Sequence, residues 1–317
     1  MSEIHTDQIW VKTNCAPIDI DTKKYFDSIA QELKLPGVLT HCIDQVPDKY
    51  INMPHILTDN VLKGSYIPLW PEFWGLYYYE SEHVNRMPTR FFSCFMNRVC
   101  PIRQSWLYQF VRRGLFEQGS ISFRLDRRYM PNSRNFASDK DFFEWIFEQH
   151  GAIFAKEHEF LRPIVPYCNF SGDLDQVMVD VKLNLIIETY FEATHLVAFS
   201  EKVFRAIQLP RPMMIYGNPG SVNALRAVGF DVFDDVIDHS YDNELDPIKR
   251  QIIMLDQLES LQNMCYTNET LEEYGIRARH NRDLLKQYKD NWPGKLEKVA
   301  QELEQISKNR VAGSTSM

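Results

Sequence analysis

The chain has 317 residues, a formal net charge of −8, 44% hydrophobic residues and 25% charged residues. Those are globular proportions, with room for two α/β domains of ordinary size. The acidic balance excludes a uniformly basic nucleic-acid coat, since binding DNA mainly means neutralising phosphates with Lys and Arg, but it is compatible with a local basic groove.

Residues 1–21 read as irregular, with Asp19-Ile20-Asp21-Thr22 capping a helix over 23–35 that Pro36-Gly37 ends. Residues 38–43 read as a strand. After loops with Pro47, Pro54, Pro68 and Pro71 comes the densest aromatic patch of the chain, residues 67–80. Residues 90–97 form a buried strand around Phe91, Phe92, Cys94 and Phe95. A helix then runs from near Pro101 to about 117, with Gly119 just past its end. Residues 120–125 make another short strand, and Ser138 opens a helix to about 161 that Arg162-Pro163 stops. That stop is the expected domain boundary. Six Cys without a CxxC pair predict buried free thiols. The start at Met1-Ser2-Glu3 has no signal-peptide pattern, and no apolar run approaches twenty residues, which predicts a cytoplasmic protein without membrane insertion.

The most informative stretch is 183–242. An apolar run, 183–187, ends in Glu188. Ser200-Glu201-Lys202 opens an apolar-periodic segment over 203–209. A second apolar run, 213–216, stops at Gly217-Asn218-Pro219-Gly220, and a helical pattern begins at Ser221. This is strand, helix, strand, helix, with polar residues where strands hand over to helices. Ligands of open α/β sheets bind at those carboxyl ends, and a Ser at a helix start beside a Lys makes an anion site. Beyond Tyr241 the chain is mostly helix, over 246–263, 271–291 and 293–308, with a tail over 309–317 expected to be disordered.

The order of Glu188, Ser200-Glu201-Lys202, Pro212 and a strand ending at Gly217 resembles the donor-binding half of GT-B glycosyltransferases of the fucosyltransferase and exostosin kind. With Gly229-Phe230-Asp231-Val232-Phe233 and Ser240-Tyr241-Asp242, it is similar to a group of phage-encoded glycosyltransferases. The resemblance implies two Rossmann-like α/β domains facing a cleft. An acceptor-side domain would cover 1–163, a nucleotide-sugar domain 164–291, and a last helix over 292–308 would pack back on the first domain. It implies a nucleotide-diphosphate sugar, a UDP-sugar first, as co-substrate with no permanently bound cofactor. The acceptor it points to is a hydroxyl, first a hydroxymethylated pyrimidine of phage DNA in the host cytoplasm. Surface-polysaccharide synthesis and a non-catalytic nucleotide- or DNA-binding module are the alternatives.

Within this frame each motif has two readings. Lys202, Arg205 and a helix start at Ser200 hold a diphosphate while Glu201 accepts ribose hydroxyls, or the segment is a cap with a solvated Glu201–Arg205 pair. Glu188 is a site acid or a surface charge at a strand exit; the related pattern places an acid there facing the donor. Gly217 lets backbone approach the nucleotide or is a plain turn. Asn97, Arg98 and Arg103 reach the diphosphate, as the phage group implies, or are helix-start charges. Tyr241 stacks on a base and Asp242 binds hydroxyls, or both belong to a capping loop. The rings of 70–79 hold a flipped base or fill a core. His41, Asp44 and Glu72 are the candidates for a general base on the acceptor hydroxyl. Asp19-Ile20-Asp21 and Asp173-Leu174-Asp175 match the DxD that metal-using GT-A enzymes employ, but neither is placed beside the Ser-Glu-Lys element, so no metal is expected. Leu296, Val299, Leu303 and Ile306 form a narrow stripe suited to docking the last helix on an existing surface.

Overall fold

The computed structural model describes residues 9–12, 37–40, 56–58, 61–62, 67–68, 70–80, 86–96, 101–123, 174–188, 191 and 196–314. The protein is mixed α/β, built on parallel sheets. In the first sheet, β1 (Ile9–Lys12), β2 (Gly37–Thr40), β3 (Ile56–Thr58) and β5 (Ile67–Pro68) pair in parallel in that order. A short antiparallel ribbon joins β4 (Val61–Leu62) to β9 (Leu196–Val197). The strand β1 lies in a stretch expected to be irregular; its Ile-Trp-Val-Lys run was too short to stand out by pattern. The expected helices over 23–35 and 138–161 fall outside the described residues.

The second sheet carries the core. It contains β6 (Arg90–Met96), β7 (Gly119–Phe123), β8 (Val181–Ile187) and β10 (Met213–Tyr216), all parallel, in the order β10-β8-β6-β7. The central strands β6 and β8 are buried almost throughout, as parallel strands covered on both faces must be. Two polar residues interrupt them at matching register. Ser93 Oγ donates to Asn184 Oδ1 at 2.6 Å, and a one-residue slip would leave both buried groups unpaired. Strands from either side of residue 163 share this sheet, so the expected boundary does not separate two sheets.

Six described helices surround these strands: α1 (Pro101–Arg112), α2 (Leu174–Val179), α3 (Glu201–Ile207), α4 (Ser221–Ala227), α5 (Pro247–Ser260) and α6 (Asn268–Ser314). On one face, α1 sets Phe110 5.2 Å from Phe92 and Trp106 5.3 Å from Tyr216, and α5 lays Arg250 over the same Tyr216 ring. Right-handed crossovers that move in opposite directions from the sheet centre put the β8–β10 connection, with α3, on the other face. At the strands' amino ends the buried Arg211 locks the turn before β10. Its Nε donates to Val181 O at 2.7 Å and Nη1 to Pro210 O at 2.6 Å, while Nη2 reaches Arg86 O and Val179 O.

The helices expected over 271–291 and 293–308 are one continuous α6 that runs to Ser314, past the start of the expected disordered tail, with Pro293 inside it. An interior proline costs about 3 kcal/mol by removing an N–H and crowding the preceding turn. Packing at that point offsets it: the buried Trp292 ring lies 5.5 Å from Phe73, and Lys295 pairs with Glu72 at 3.5 Å. Val299 is buried and Leu296 packs on the core, while the side chains of Leu303 and Ile306 lie outside the described residues. The aromatic patch is the other half of this joint. Trp74 packs on Phe199 and Phe204, and Tyr77 stacks on Phe204 at 5.0 Å. Phe73 and Trp74 are core, while Trp70, Tyr77 and Tyr78 are half-buried against it.

The closest approach in the joint is at Gly75, where an added Cβ would stand 2.0 Å from the backbone nitrogen of Lys289. Because the opposing atoms are helix backbone, they cannot rotate away. Gly75→Ala is therefore expected to destabilise by about 3 kcal/mol, the upper end of overpacking penalties, as a lower urea midpoint with unchanged slope. An unchanged midpoint would mean that α6 does not dock on this turn.

Candidate functional site at the carboxyl edge of the second sheet

The order β10-β8-β6-β7 has a consequence for ligands. The chain leaves β6 toward β7, then crosses back to the other side of β6 for β8 and β10, so the connections diverge between β6 and β8. Open α/β sheets bind their ligands in the crevice outside the carboxyl ends of strands at such a point. Glu188 directly follows β8 there, and Arg103, two residues into α1, reaches the same place: its Nη2 donates to Ile187 O at 3.2 Å. Both side chains are buried. Arg103 also lies near the Cys94 thiol, whose pKa is pushed up by burial, and the guanidinium opposes that shift. Asn97, Arg98, His41 and Asp44 fall outside the described residues.

The strand end and the following helix are tied by one carboxylate oxygen. Glu188 Oε1 accepts from both the N–H and the Oγ of Ser200, each at 2.9 Å. Ser200 starts α3 without capping it, contrary to expectation: its Oγ is turned to Glu188, to which it donates, and accepts from Lys202 Nζ instead of a helix N–H. Lys202 Nζ reaches Ser200 Oγ at 3.3 Å and pairs with the exposed Glu201 at 3.5 Å, with a quarter of its own side chain still exposed (26%). Glu188, Ser200 and Lys202 are thus brought together, and Glu201 sits on their solvent side.

Arg205 faces elsewhere. Its Nε pairs with the buried Asp175 of α2 at 2.9 Å, and its guanidinium lies 5.8 Å from the centre of the Tyr79 ring. The expected Glu201–Arg205 pair is replaced by Glu201–Lys202 and Arg205–Asp175. Asp175, half of a DxD set aside as remote from the Ser-Glu-Lys segment, is in fact in contact with its helix; the tertiary packing of α2 on α3 brings them together. Among the described residues no group of three or more His, Cys, Asp or Glu is gathered to hold a metal ion.

The donor-binding roles of Tyr241 and Asp242 are corrected. Tyr241 is fully buried, and its hydroxyl accepts from Ile215 N at 3.1 Å and meets His239 Nδ1 at 2.9 Å, so the ring is not open to a base. Asp242 is the cap of α4: its carboxylate oxygens accept from Val222 N and Asn223 N, both at 3.0 Å. Those are the N–H groups an anion would seek at the end of the Gly217 loop, and the protein fills the position with its own carboxylate. Burial nonetheless raises the Asp242 pKa, against the lowering effect of those two bonds. Gly217 has a packing reason of its own, since a Cβ there would stand 2.9 Å from Ser221 Oγ. Glu72 pairs with Lys295 in the α6 joint. Sequence reasoning weighed Asp175 only as part of a DxD and missed Trp106 and Arg250, which sit on helices whose pattern reads as ordinary amphipathicity.

Comparison with protein-family models, with curated proteins and with solved structures gives no match for this chain.

His239 makes the turn before Asp242 sensitive to pH. Its Nε2 meets Val232 O at 2.7 Å and its Nδ1 the Tyr241 hydroxyl, and burial lowers its pKa below the ordinary value of about 6.5. A lowered value means that the unfolded chain takes the proton first as pH falls. The stabilisation is complete above about 6.5 and is lost as pH drops through that value toward the folded one. The free energy of unfolding should decline from pH 7.5 to 5.5, and His239→Gln should flatten that slope; equal slopes in parent and variant would exclude His239 as its origin.

Proposed function

We propose that the protein is a glycosyltransferase that takes its nucleotide-diphosphate sugar, a UDP-sugar first, across the carboxyl edge of the second sheet. The single observation that carries this is the placement of Glu188, Ser200, Lys202 and Arg103 at the point where the connections from β6 and β8 diverge. In this reading Lys202 neutralises donor phosphate and Glu188 acts by holding Ser200 in place. Fixed positive charge on the leaving diphosphate is the largest contribution such a site can make. The first parallel sheet supports a second Rossmann-like unit on the acceptor side of a cleft. The hydroxymethylated pyrimidine of DNA stays the proposed acceptor on the strength of the sequence resemblance alone. Arg205 contributes by anchoring α3 to α2 through Asp175.

Lys202→Ala is expected to weaken nucleoside-diphosphate binding about tenfold or more, the usual loss of one charge-assisted contact, with unchanged melting temperature. Calorimetry with nucleoside diphosphate reads it, and binding equal to the parent would refute the donor site. Turnover is tested with a panel of nucleotide sugars and hydroxymethylated DNA, by mass analysis of the nucleosides. Because Lys202 takes the place of a divalent ion in this scheme, transfer should survive EDTA; loss restored by Mn²⁺ would refute it. Tight binding with no released nucleoside diphosphate would favour a binding module over an enzyme.

A further inference from the structure

Two buried arginines near the second sheet are held in different ways. Arg211 directs its donors at four backbone carbonyls and is a structural pin. Arg250, 1% exposed, gives Nη1 to Glu244 O and Nη2 to Phe191 O, but its Nε has no hydrogen-bond partner among the described residues. Its positive charge has no ion-pair partner among them either. Asp242 and Glu244 are the carboxylates that act on its charge, and Asp242 is committed to α4. Burial lowers the Arg250 pKa, yet an arginine stays protonated in a protein.

Arg250 lies 5.3 Å from the centre of the Tyr216 ring and hydrogen-bonds that side chain, and Trp106, fully buried, packs edge-on to the same ring at 5.3 Å with its indole N–H unpartnered among the described residues. Gln251, 3% exposed, accepts from Ser105 Oγ through Oε1 at 3.0 Å, and its Nε2 has no partner among the described residues. These donors sit where α1 and α5 meet at the carboxyl end of β10. Each buried donor without an acceptor is destabilising, and a guanidinium without a counter-charge more so. Arg250 and Trp106 share the Tyr216 ring, and Gln251 follows Arg250 on α5.

We propose that Arg250, Trp106 and Gln251 form an oxyanion-binding subsite, taking a phosphate or carboxylate group of the protein's ligand between α1 and α5. The subsite rests on the carboxyl-edge reading of the ligand site and not on glycosyl transfer. It adds a second cationic position, at the carboxyl end of β10 and on the face opposite α3, which carries Lys202.

The test is thermal unfolding and calorimetry of the full chain with inorganic phosphate or acetate, at ionic strength held constant with sodium chloride. The parent should be stabilised by one of the two beyond the chloride control, and which one tells phosphate from carboxylate. Trp106→Phe keeps the packing and removes only the N–H, so it should weaken that response about tenfold. Gln251→Glu keeps the acceptor for Ser105 and brings its own carboxylate among the donors. It should therefore melt no lower than the parent and lose the anion response. The proposal is overturned if the parent responds to neither anion beyond chloride, if Trp106→Phe responds like the parent, or if Gln251→Glu melts lower while keeping its response. Nucleotide-sugar turnover is read separately: anion binding without turnover supports the subsite and removes glycosyl transfer.

Discussion

Everything at the candidate site depends on the parallel pairing of β6 with β8. Their buried polar contact, Ser93 to Asn184, joins residues 91 apart in sequence and helps to hold their register. Parallel pairing over such a separation is slow to form and carries a loop-closure cost that must be met before the contacts help. Once formed, it puts the ends of β6 and β8 side by side. Arg103 and Glu188 then come from different crossovers to one edge, and the helix carrying Lys202 follows from Glu188 through Ser200.

Several charged groups that read as ligand-binding in the chain are used by the fold on itself. Asp242 takes the N-terminus of α4, Arg205 is held by Asp175, and Glu72 is held by Lys295. The physical reason is common to all three: a buried charge or a free helix end is expensive until something compensates it, and a neighbouring side chain does so permanently. Arg250 stands apart because its neighbours satisfy only part of its donor set. Arg211 directs its donors at four backbone carbonyls instead.

The strands and helices of the second half were largely legible. The runs at 183–187 and 213–216 are strands within two residues, and the helices after Glu201 and Ser221 begin where small and polar residues announced them. Strong apolar periodicity with Gly and Pro at the ends carries that much. Less legible were Pro293, which failed to end a helix because Trp292 docks on Phe73, and the rings of 70–79, whose composition suits a cleft and a core equally well. Tyr241 was misread for the same reason: a tyrosine in a polar segment looks available until the backbone of β10 supplies its hydroxyl a donor.

The sequence by itself determined the class of elements, their α/β alternation, and the segment, 183–242, in which polar chemistry meets strand ends. These are local properties, set by periodicity, capping and turn residues over a few positions. Tertiary structure alone decided the strand order β10-β8-β6-β7, and with it the edge where Arg103 and Glu188 meet. It also decided which charges face each other: Arg205 with Asp175 rather than Glu201, and Asp242 with the start of α4 rather than with a ligand. No local pattern encodes such pairs, because each depends on packing between segments that sequence spacing leaves free to choose their neighbours.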